Sequence, residues 1–246
     1  MKLKRFGLVG RNISYSFSAG YFTKKFEKTG LDNYTYTNFD IDSISQLPEI
    51  LEKTKKLKGL NITIPYKEEV IPLLDSISKT AAIIGAVNTI VISKTGTKGY
   101  NTDHYGFRKA LEPLLTPHHK KALILGTGGA SKAIAYALRR MKIEYDFVSR
   151  TATDVIYAYE DLDAAIFEDY QIIINTTPLG TFPNMKECPP IDYSQFTKNH
   201  LAFDLVYNPE ETEFMKRAAA NGAKTSNGYE MLVHQAEKAW KLWNKK

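Results

Sequence analysis

A glycine-rich turn between two apolar segments is the part of the sequence best suited to bind a charged ligand. The apolar run 121–125 is followed by Gly126, Gly128, Gly129 and Ala130, and then by a stretch with helical apolar periodicity. Glycines let the backbone approach a diphosphate closely, and a helix start presents free N–H groups and the positive end of its dipole. The segment therefore predicts the first βαβ unit of a dinucleotide-binding domain, against the alternative of an ordinary glycine-rich turn.

The residue that ends the second apolar run indicates which dinucleotide is bound. An acidic side chain at this position would bind the ribose 2′-hydroxyl and favour NAD, but the sequence has Arg150 after Ser149. A guanidinium can make charged hydrogen bonds to a 2′-phosphate. Arg150 therefore predicts NADP(H) as the cofactor, and the alternative is a surface arginine without a ligand.

Two serines near the N-terminus have the spacing of a carboxylate site. Ser16 and Ser18 lie at i and i+2 on one side of an extended segment, immediately before a predicted helix. Hydroxyl groups beside a helix N-terminus favour an anion. Taken alone, the spacing favours the alternative in which Ser18 is only the N-cap of the helix, and both hold if the cap is shared.

Polar side chains also follow several apolar strands of the first hundred residues. Asn61 and Thr63 alternate with apolar residues before Lys67, and Asn88 and Asp103 follow later strands. A lysine in a cleft of low dielectric can donate a proton to an oxygen, because desolvation lowers its pKa. Lys67 is thus a candidate acid, against the alternative of a solvated lysine. Asp103 is either a helix N-cap or the group that pairs with Lys67.

The last predicted helix, 229–243, carries an apolar stripe that Gln235 interrupts. A buried glutamine needs hydrogen-bond partners. Gln235 either points into a cleft and binds a polar ligand, or lies at the edge of the stripe and contacts water.

The composition narrows the class of protein. The net charge is +6, and we expect it to attract anionic small molecules rather than nucleic acid, because no basic motif is interleaved with stacking aromatics. The single cysteine, Cys188, excludes an intrachain disulfide and fits the cytoplasm. No apolar run has the roughly 20 residues that a membrane span needs, and the N-terminus lacks the apolar stretch of a signal peptide. The five histidines lack metal-ligand spacing, so we expect no metal.

The pattern of apolar residues predicts an α/β protein. The first predicted helix ends near Thr29. The stretch 150–175, between the strand ending at Ser149 and the strand 172–175, is too short for a full crossover helix. The other predicted helices are 44–57, 103–115, a helix after Gly129, and 229–243. The predicted strands are 3–9, 33–39, 60–64, one within 83–92, 98–101, 121–125, one ending at Ser149, 172–175 and 201–206.

With these motifs in order, the chain resembles the shikimate dehydrogenase family along nearly its full length. The resemblance rests on the segments 16–18, 61–67, 85–89, 101–103, 126–130, 175–180, 204–209 and 228–235. It implies reversible, NADPH-dependent reduction of 3-dehydroshikimate to shikimate in chorismate and aromatic amino-acid biosynthesis. It also implies an N-terminal α/β substrate domain, 1–103 plus 229–246, and a Rossmann-type NADP-binding domain, 104–228. The last helix would return to the first domain, and the cleft would lie between the two.

The resemblance assigns a role to each candidate residue. The catalytic pair would be Lys67 and Asp103. The residues that would bind the substrate are Ser16 and Ser18 for its carboxylate, Thr63, Asn88 and Gln235 for its ring hydroxyls, and Tyr207 along the pocket. The residues that would bind NADP(H) are Gly126, Gly128, Gly129 and Ala130 at the pyrophosphate, Arg150 at the 2′-phosphate, and Leu205 and Gly228 beside the nicotinamide.

The sequence also departs from the family pattern and leaves rivals open. The departures are Tyr15, Ala19, His104, Ser149, and Thr153 with Asp154 where a further basic residue is usual. One rival is a quinate/shikimate dehydrogenase that uses NAD. Another is a folate-type methylene dehydrogenase, which the serine pair and Gln235 disfavour. A third is a non-catalytic NADP-binding sensor, which would have no use for Lys67 and Asp103. We expect a monomer or homodimer with a small-molecule substrate and no nucleic-acid or membrane partner.

Overall fold

The computed structural model describes residues 3–14 and 16–245, so Tyr15 and the extreme ends of the predicted first domain lie outside the described residues. The chain divides into two compact units, Met1–Thr102 with Ala236–Lys246, and Asp103–Gln235. The predicted division instead placed Asp103 and residues 229–235 with the first unit. The α/β fold class is confirmed.

The first unit is built around a mixed six-stranded sheet in the order β2-β1-β3-β5-β6-β4. Strand β1 is parallel to β2 and β3, whereas β3, β5 and β6 form antiparallel neighbours. Its strands are β1 (Lys4–Gly10), β2 (Tyr34–Asp40), β3 (Leu57–Ile62), β4 (Ser76–Ile77), β5 (Thr89–Ser93) and β6 (Gly96–Tyr100). Its helices are α1 (Phe17–Lys28), α2 (Leu47–Lys53) and α3 (Lys79–Ile84).

The second unit contains a fully parallel six-stranded sheet in the order β12-β11-β10-β7-β8-β9. Counted from β7, this is the 3-2-1-4-5-6 order of a doubly wound dinucleotide-binding domain. Its strands are β7 (Lys121–Leu125), β8 (Glu144–Ser149), β9 (Ile156–Ala158), β10 (Ile172–Asn175), β11 (Leu201–Asp204) and β12 (Lys224–Ser226). The helices are α4 (Asp103–Leu111), α5 (Gly129–Met141), α6 (Ala164–Asp169), α7 (Glu213–Ala220) and α8 (Tyr229–Trp243), of which the last ends in the first unit.

Each sheet buries apolar side chains on both faces. In the second unit, Phe107 and Ile134 pack on one face, and Phe167 and Phe214 belong to the cluster on the other. In the first unit, the end of α8 packs into an aromatic cluster, where the Trp243 indole donates a hydrogen bond to the Ile90 carbonyl at 2.9 Å. Burial of apolar surface on both faces is the expected driving force for such sheets.

Several predicted elements of the first unit have different bounds. The helix predicted at 44–57 is a 3₁₀ turn, Ile44–Gln46, followed by the short α2, and Leu57 already belongs to β3. Lys56 adopts a left-handed conformation, φ 63°, which cannot continue a helix. The strand predicted at 60–64 ends at Ile62, and α3 precedes the strand predicted within 83–92.

The second unit shows similar differences. The helix predicted at 103–115 ends at Leu111 and continues as a 3₁₀ turn, Glu112–Leu114, because Pro113 cannot donate an α-helical hydrogen bond. The crossover between β9 and β10 is short, as expected, since α6 has only 6 residues. The sequence analysis missed β9, β12 and α7.

Candidate active site

The glycine-rich turn follows β7 and leads directly into α5. Gly126 has φ 106°, and a Cβ there would lie 2.9 Å from the Thr176 hydroxyl oxygen, so only glycine is accommodated. Gly128 has an ordinary φ of −77°, and a Cβ on it would meet no heavy atom within 4 Å. The protein itself therefore does not require glycine at 128. The open space above it is a cradle that a side chain would fill.

The start of α5 faces this cradle without a capping side chain. Its N-cap residue is Gly128, which offers none, and Ser131 donates its hydroxyl to the Gly128 carbonyl at 2.6 Å. The N–H groups of the first turn, from Gly129 and Ala130 onward, are therefore available to an anion. The turn and the helix start fit the diphosphate of a dinucleotide.

Arg150 lies exposed immediately after β8, the neighbour of β7. Burial raises the pKa of Tyr159, and the positive charge of Arg150 opposes that rise, so the guanidinium lies near the phenol. An exposed guanidinium at the carboxyl end of the second strand fits a 2′-phosphate. The residues present in this unit therefore fit NADP(H).

A buried polar network joins the carboxyl ends of β10 and β11. One carboxylate oxygen of Asp204, Oδ1, accepts from Asn175 Nδ2 and from the Val206 amide, both at 3.0 Å. The other, Oδ2, accepts from the Thr212 hydroxyl at 2.6 Å. Asp204 is 0% exposed, and burial raises the pKa of its carboxyl to about 6, although these hydrogen bonds oppose the rise. A raised pKa in a polar cluster at a sheet's ligand edge is typical of a functional site.

The loop after β11 is held against the segment before α8. The Leu205 amide donates to the Asn175 carbonyl at 2.9 Å, and the Gly228 amide donates to the Val206 carbonyl at 3.0 Å. A Cβ on Gly228 would collide with the Leu205 carbonyl oxygen, so this approach requires glycine. Leu205 and Gly228, predicted together from the sequence, are thus adjacent, and Tyr207 lies half-buried in the same loop.

Helices α4 and α8 place Asp103 and Gln235 in the second unit. Asp103 is buried at the start of α4. A Cβ on Gly106 would lie 3.0 Å from the Gln235 Cβ, so the glycine allows the close approach of α8. Gln235 is only 6% exposed, which excludes the alternative that it lies at the stripe edge in contact with water.

In the first unit, the two serines have separate surroundings. Ser16 is the N-cap of α1 and accepts the Ser18 amide at 3.2 Å, so the alternative that Ser18 is the cap is wrong. Ser18 is buried, and its hydroxyl hydrogen-bonds to the phenol of Tyr36, whose pKa is raised by burial. The cap falls on Ser16 because the backbone turns helical at Phe17.

A second buried network lies where β3, β5 and β6 meet. Asn88 donates to the Thr102 hydroxyl at 3.0 Å and accepts the Thr102 amide at 2.6 Å. Asn61 accepts the Tyr36 hydroxyl at 2.8 Å and donates to the Thr89 hydroxyl at 3.2 Å. Because every member is hydrogen-bonded, this network fixes the side chains rigidly.

Lys67 and Thr63 lie at the same end of this sheet. The Lys67 carbonyl accepts the Val87 amide at 2.7 Å, which places the lysine backbone beside the residue that precedes Asn88. The Thr63 amide donates to Val9 at the end of β1 at 3.0 Å. Both side chains are half-buried. The first unit therefore brings a lysine, an amide and hydroxyls to one edge of its sheet.

Two findings concern other kinds of site. Among residues 3–14 and 16–245, no group of three or more histidine, cysteine, aspartate or glutamate side chains is arranged to hold a metal ion. In the same part of the chain, no helix has the length and apolar character needed to cross a membrane.

Comparison with known proteins identifies the family. The family model for the shikimate dehydrogenase substrate-binding domain matches residues 8–90. A shikimate dehydrogenase (NADP(+)) of Caldicellulosiruptor saccharolyticus is 36% identical over 98% of this chain and 92% of its own. The chain belongs to the shikimate dehydrogenase family.

Solved structures of the shikimate dehydrogenase family agree with this assignment. One, in complex with NADP+, has a TM-score of 0.87 and 34% identity over 98% of this chain and 90% of its own. The enzyme of Thermus thermophilus, in complex with NADP(H) and shikimate, also has a TM-score of 0.87, with 31% identity over 98% and 94% of the two chains.

The sequence analysis missed the buried residues that hold the candidate groups in place. Asp204 and Thr212 in the second unit, and Tyr36 and Thr102 in the first, were not predicted as candidates. Asn61 was noted only for its alternation with apolar residues. A polar residue at the end of an apolar strand was the feature that could have indicated Asp204 and Thr102. Thr212 caps α7 and Tyr36 lies within β2, so this feature does not indicate them.

Proposed function

We propose that the protein catalyses the reversible NADPH-dependent reduction of 3-dehydroshikimate to shikimate, a step of chorismate and aromatic amino-acid biosynthesis. The observation that carries the proposal is full-length similarity to enzymes of that name, 36% over 98% of the chain, together with an intact Lys67 and Asp103. A cofactor-binding sensor would need neither residue.

The substrate carboxylate is bound by Ser16 and Ser18 at the start of α1. A hydroxyl donor beside a helix N-terminus stabilises an anion through both a hydrogen bond and the helix dipole. The ring hydroxyls are bound by Thr63, Asn88 and Gln235, and Tyr207 lines the pocket. The support for Asn88 is its rigid network, because a fixed amide discriminates between hydroxyl positions better than a mobile one.

NADP(H) is held at its diphosphate by the turn of Gly126, Gly128, Gly129 and Ala130. The Gly126 amide donates to the Val148 carbonyl at 2.8 Å, so Gly126 shapes the turn and the N–H groups at the start of α5 bind the anion. Arg150 binds its 2′-phosphate, and Leu205 and Gly228 flank its nicotinamide. When bound, the cofactor supplies a hydride to the substrate or accepts one from it.

Lys67 carries the proton of the reaction. Its ammonium group donates a proton to the oxygen at C3 while the ketone is reduced, and the neutral amine takes that proton back in the oxidation direction. Asp103 hydrogen-bonds the substrate and orients the lysine. No metal participates in this mechanism.

We further propose that the protein acts in the cytoplasm, as a monomer or homodimer. The single cysteine, Cys188, supports a reducing compartment. Its partners on this proposal are small molecules.

The test is a comparison of initial rates with four substrate pairs. The purified protein is assayed for reduction of NADP+ and of NAD+, each with shikimate and with quinate. We expect rapid reduction of NADP+ with shikimate and a much lower kcat/KM for the other three pairs. Equal rates with quinate or NAD+ would favour the quinate/shikimate rival, and no turnover with tight NADP+ binding would favour the sensor.

A further inference from the structure

A continuous set of hydrogen bonds runs along the carboxyl edge of the parallel sheet, from the glycine-rich turn to Gly228. Thr176 donates both its amide, at 3.0 Å, and its hydroxyl, at 2.6 Å, to the Leu125 carbonyl that precedes Gly126. The neighbouring Asn175 contacts Asp204 through its side chain and Leu205 through its carbonyl. Val206 then connects Asp204 to Gly228.

Asp204 lies at the centre of this set and has no part in the mechanism proposed above. The three donors described for its carboxylate, from Asn175, Val206 and Thr212, are all neutral. A fully buried carboxylate among neutral donors is costly to keep ionised. Stability therefore does not explain why an aspartate occupies this buried position.

The strand order indicates which part of the cofactor lies near this carboxylate. The glycine-rich turn follows β7, Arg150 follows β8 on one side of it, and β10 and β11 lie on the other side. A dinucleotide whose diphosphate is at the turn and whose 2′-phosphate is at Arg150 must extend its other half towards β10 and β11.

We propose that Asp204 is a positioning residue that fixes the nicotinamide end of the NADP(H) site by holding the β10 and β11 loops in one arrangement. The proposal rests on the proposed function for the identity of the cofactor. Asp204 does so through Oδ1, which accepts from the Asn175 side chain and the Val206 amide and thereby fixes the backbone on both sides of Leu205. Oδ2 has a separate task, because Thr212 is the N-cap of α7.

Binding of two ligands distinguishes a positioning role of Asp204 from a general loss of structure in its variants. NADP+ occupies the whole site, whereas 2′,5′-ADP carries the adenosine and 2′-phosphate without the nicotinamide. Their dissociation constants are measured by isothermal titration calorimetry on the full-length wild type and variants. Asp204→Ala leaves buried donors unpaired and should raise the Kd for NADP+ about tenfold or more, with that for 2′,5′-ADP unchanged. Asn175→Ala keeps the carboxylate and should also raise the Kd for NADP+. It provides the test if Asp204→Ala does not fold.

The conservative variant and two controls complete the test. Asp204→Asn preserves both Oδ1 contacts and should restore NADP+ affinity. Thr212→Val removes the Oδ2 contact and the N-cap bond from the Met215 amide but neither Oδ1 contact, so it should lower stability while NADP+ affinity is kept. His200→Asn breaks a buried pair of hydrogen bonds at the opposite end of β11, to Thr197 and Phe167, and should behave like Thr212→Val.

Equal losses for NADP+ and 2′,5′-ADP in Asp204→Ala and Asn175→Ala would overturn the proposal, as would unchanged NADP+ affinity in both. These outcomes differ from a failure of the proposed function. That failure would appear as wild-type protein that binds NADP+ but does not oxidise shikimate, and it would leave the ligand comparison interpretable.

Discussion

Replacing Asp204 by asparagine should make the protein more stable at neutral pH. Burial raises the pKa of this carboxyl from its ordinary 3.8 to about 6. Because the folded state holds the proton more tightly than the unfolded state, the stabilisation is complete below about pH 4 and is lost as the pH rises through about 6. The difference between 3.8 and about 6 corresponds to about 3 kcal/mol at about 1.4 kcal/mol per pH unit.

Asparagine has the same shape and does not ionise. Its carboxamide oxygen can accept from Asn175 and Val206, and its amide can donate to the Thr212 oxygen. The free energy of unfolding of Asp204→Asn should therefore exceed that of the wild type by up to about 3 kcal/mol above pH 6. Below pH 4, where the aspartate is protonated in both states, the two proteins should be equally stable.

The measurement is urea unfolding followed by circular dichroism at several pH values from about 3 to 8, with no cofactor present. Asp192→Asn is a matched control in the same unit, because Asp192 is exposed and hydrogen bonds from Gln195 and Ser194 lower its pKa. The Asp192 carboxylate stabilises the fold above its unfolded pKa. Asp192→Asn should therefore lower the free energy of unfolding at neutral pH, whereas Asp204→Asn should raise it. An Asp204→Asn protein that is less stable than the wild type at pH 7, by an amount independent of pH, would refute the reasoning.

The remaining predictions concern the proposed site. Arg150→Ala should raise the KM for NADP+ far more than that for NAD+, since a charged hydrogen bond to phosphate contributes roughly 1.5–3 kcal/mol, and equal changes in both would contradict its role. Replacing Ser16 and Ser18 together by alanine should weaken shikimate binding in calorimetry and leave NADP+ binding nearly intact. Lys67→Ala should lower kcat by about 10²–10⁴-fold with a smaller change in the shikimate KM, and near-native turnover would refute proton transfer. Asp103→Asn should also lower kcat, and its effect should not add to that of Lys67→Ala, because the two act as one unit.

Elements whose start, end and apolar pattern are all encoded in neighbouring residues were predictable from the sequence. The unit from β7 through α5 to β8 was recognised because a buried run, a glycine turn and a helical stripe follow one another without ambiguity. Helix α8 has the predicted bounds 229–243, since its apolar residues keep helical spacing on both sides of Gln235. Turn chemistry and periodicity agreed at these positions.

Other elements depend on single residues or on pairing with distant segments. Helix α2 ends because its cap residue, Thr54, leaves the helical region with ψ 85°, and Lys56 then adopts a left-handed conformation; no sequence pattern predicts either. Helix α3 was missed because its residues Ala81–Ile84 are apolar and run into the strand that follows. The short strand β12 has three residues, each paired with a residue of β11 that lies more than 20 positions earlier in the chain.

The supporting residues of the site were hidden for a related reason. Asn175 and Asp204 are direct neighbours across the β10–β11 pair, and Asn61 and Thr89 are neighbours across β3–β5. Register between strands follows from tertiary packing rather than from local sequence. The sequence could therefore indicate polar strand ends as candidate ligand groups, but not which of them bind the substrate and which hold each other.

The proposed nicotinamide end of the site brings together groups that each disfavour folding. Asp204 is ionised and buried at neutral pH, and Gly228 is required for the close approach to Leu205 although glycine carries the largest backbone entropy cost. A ligand at 100 times its dissociation constant stabilises the folded state by about 2.7 kcal/mol. This is comparable with the cost of about 3 kcal/mol that follows from the raised pKa of Asp204. If NADP(H) binds as proposed, cofactor at that excess over its dissociation constant would offset the cost of keeping Asp204 ionised in the empty protein.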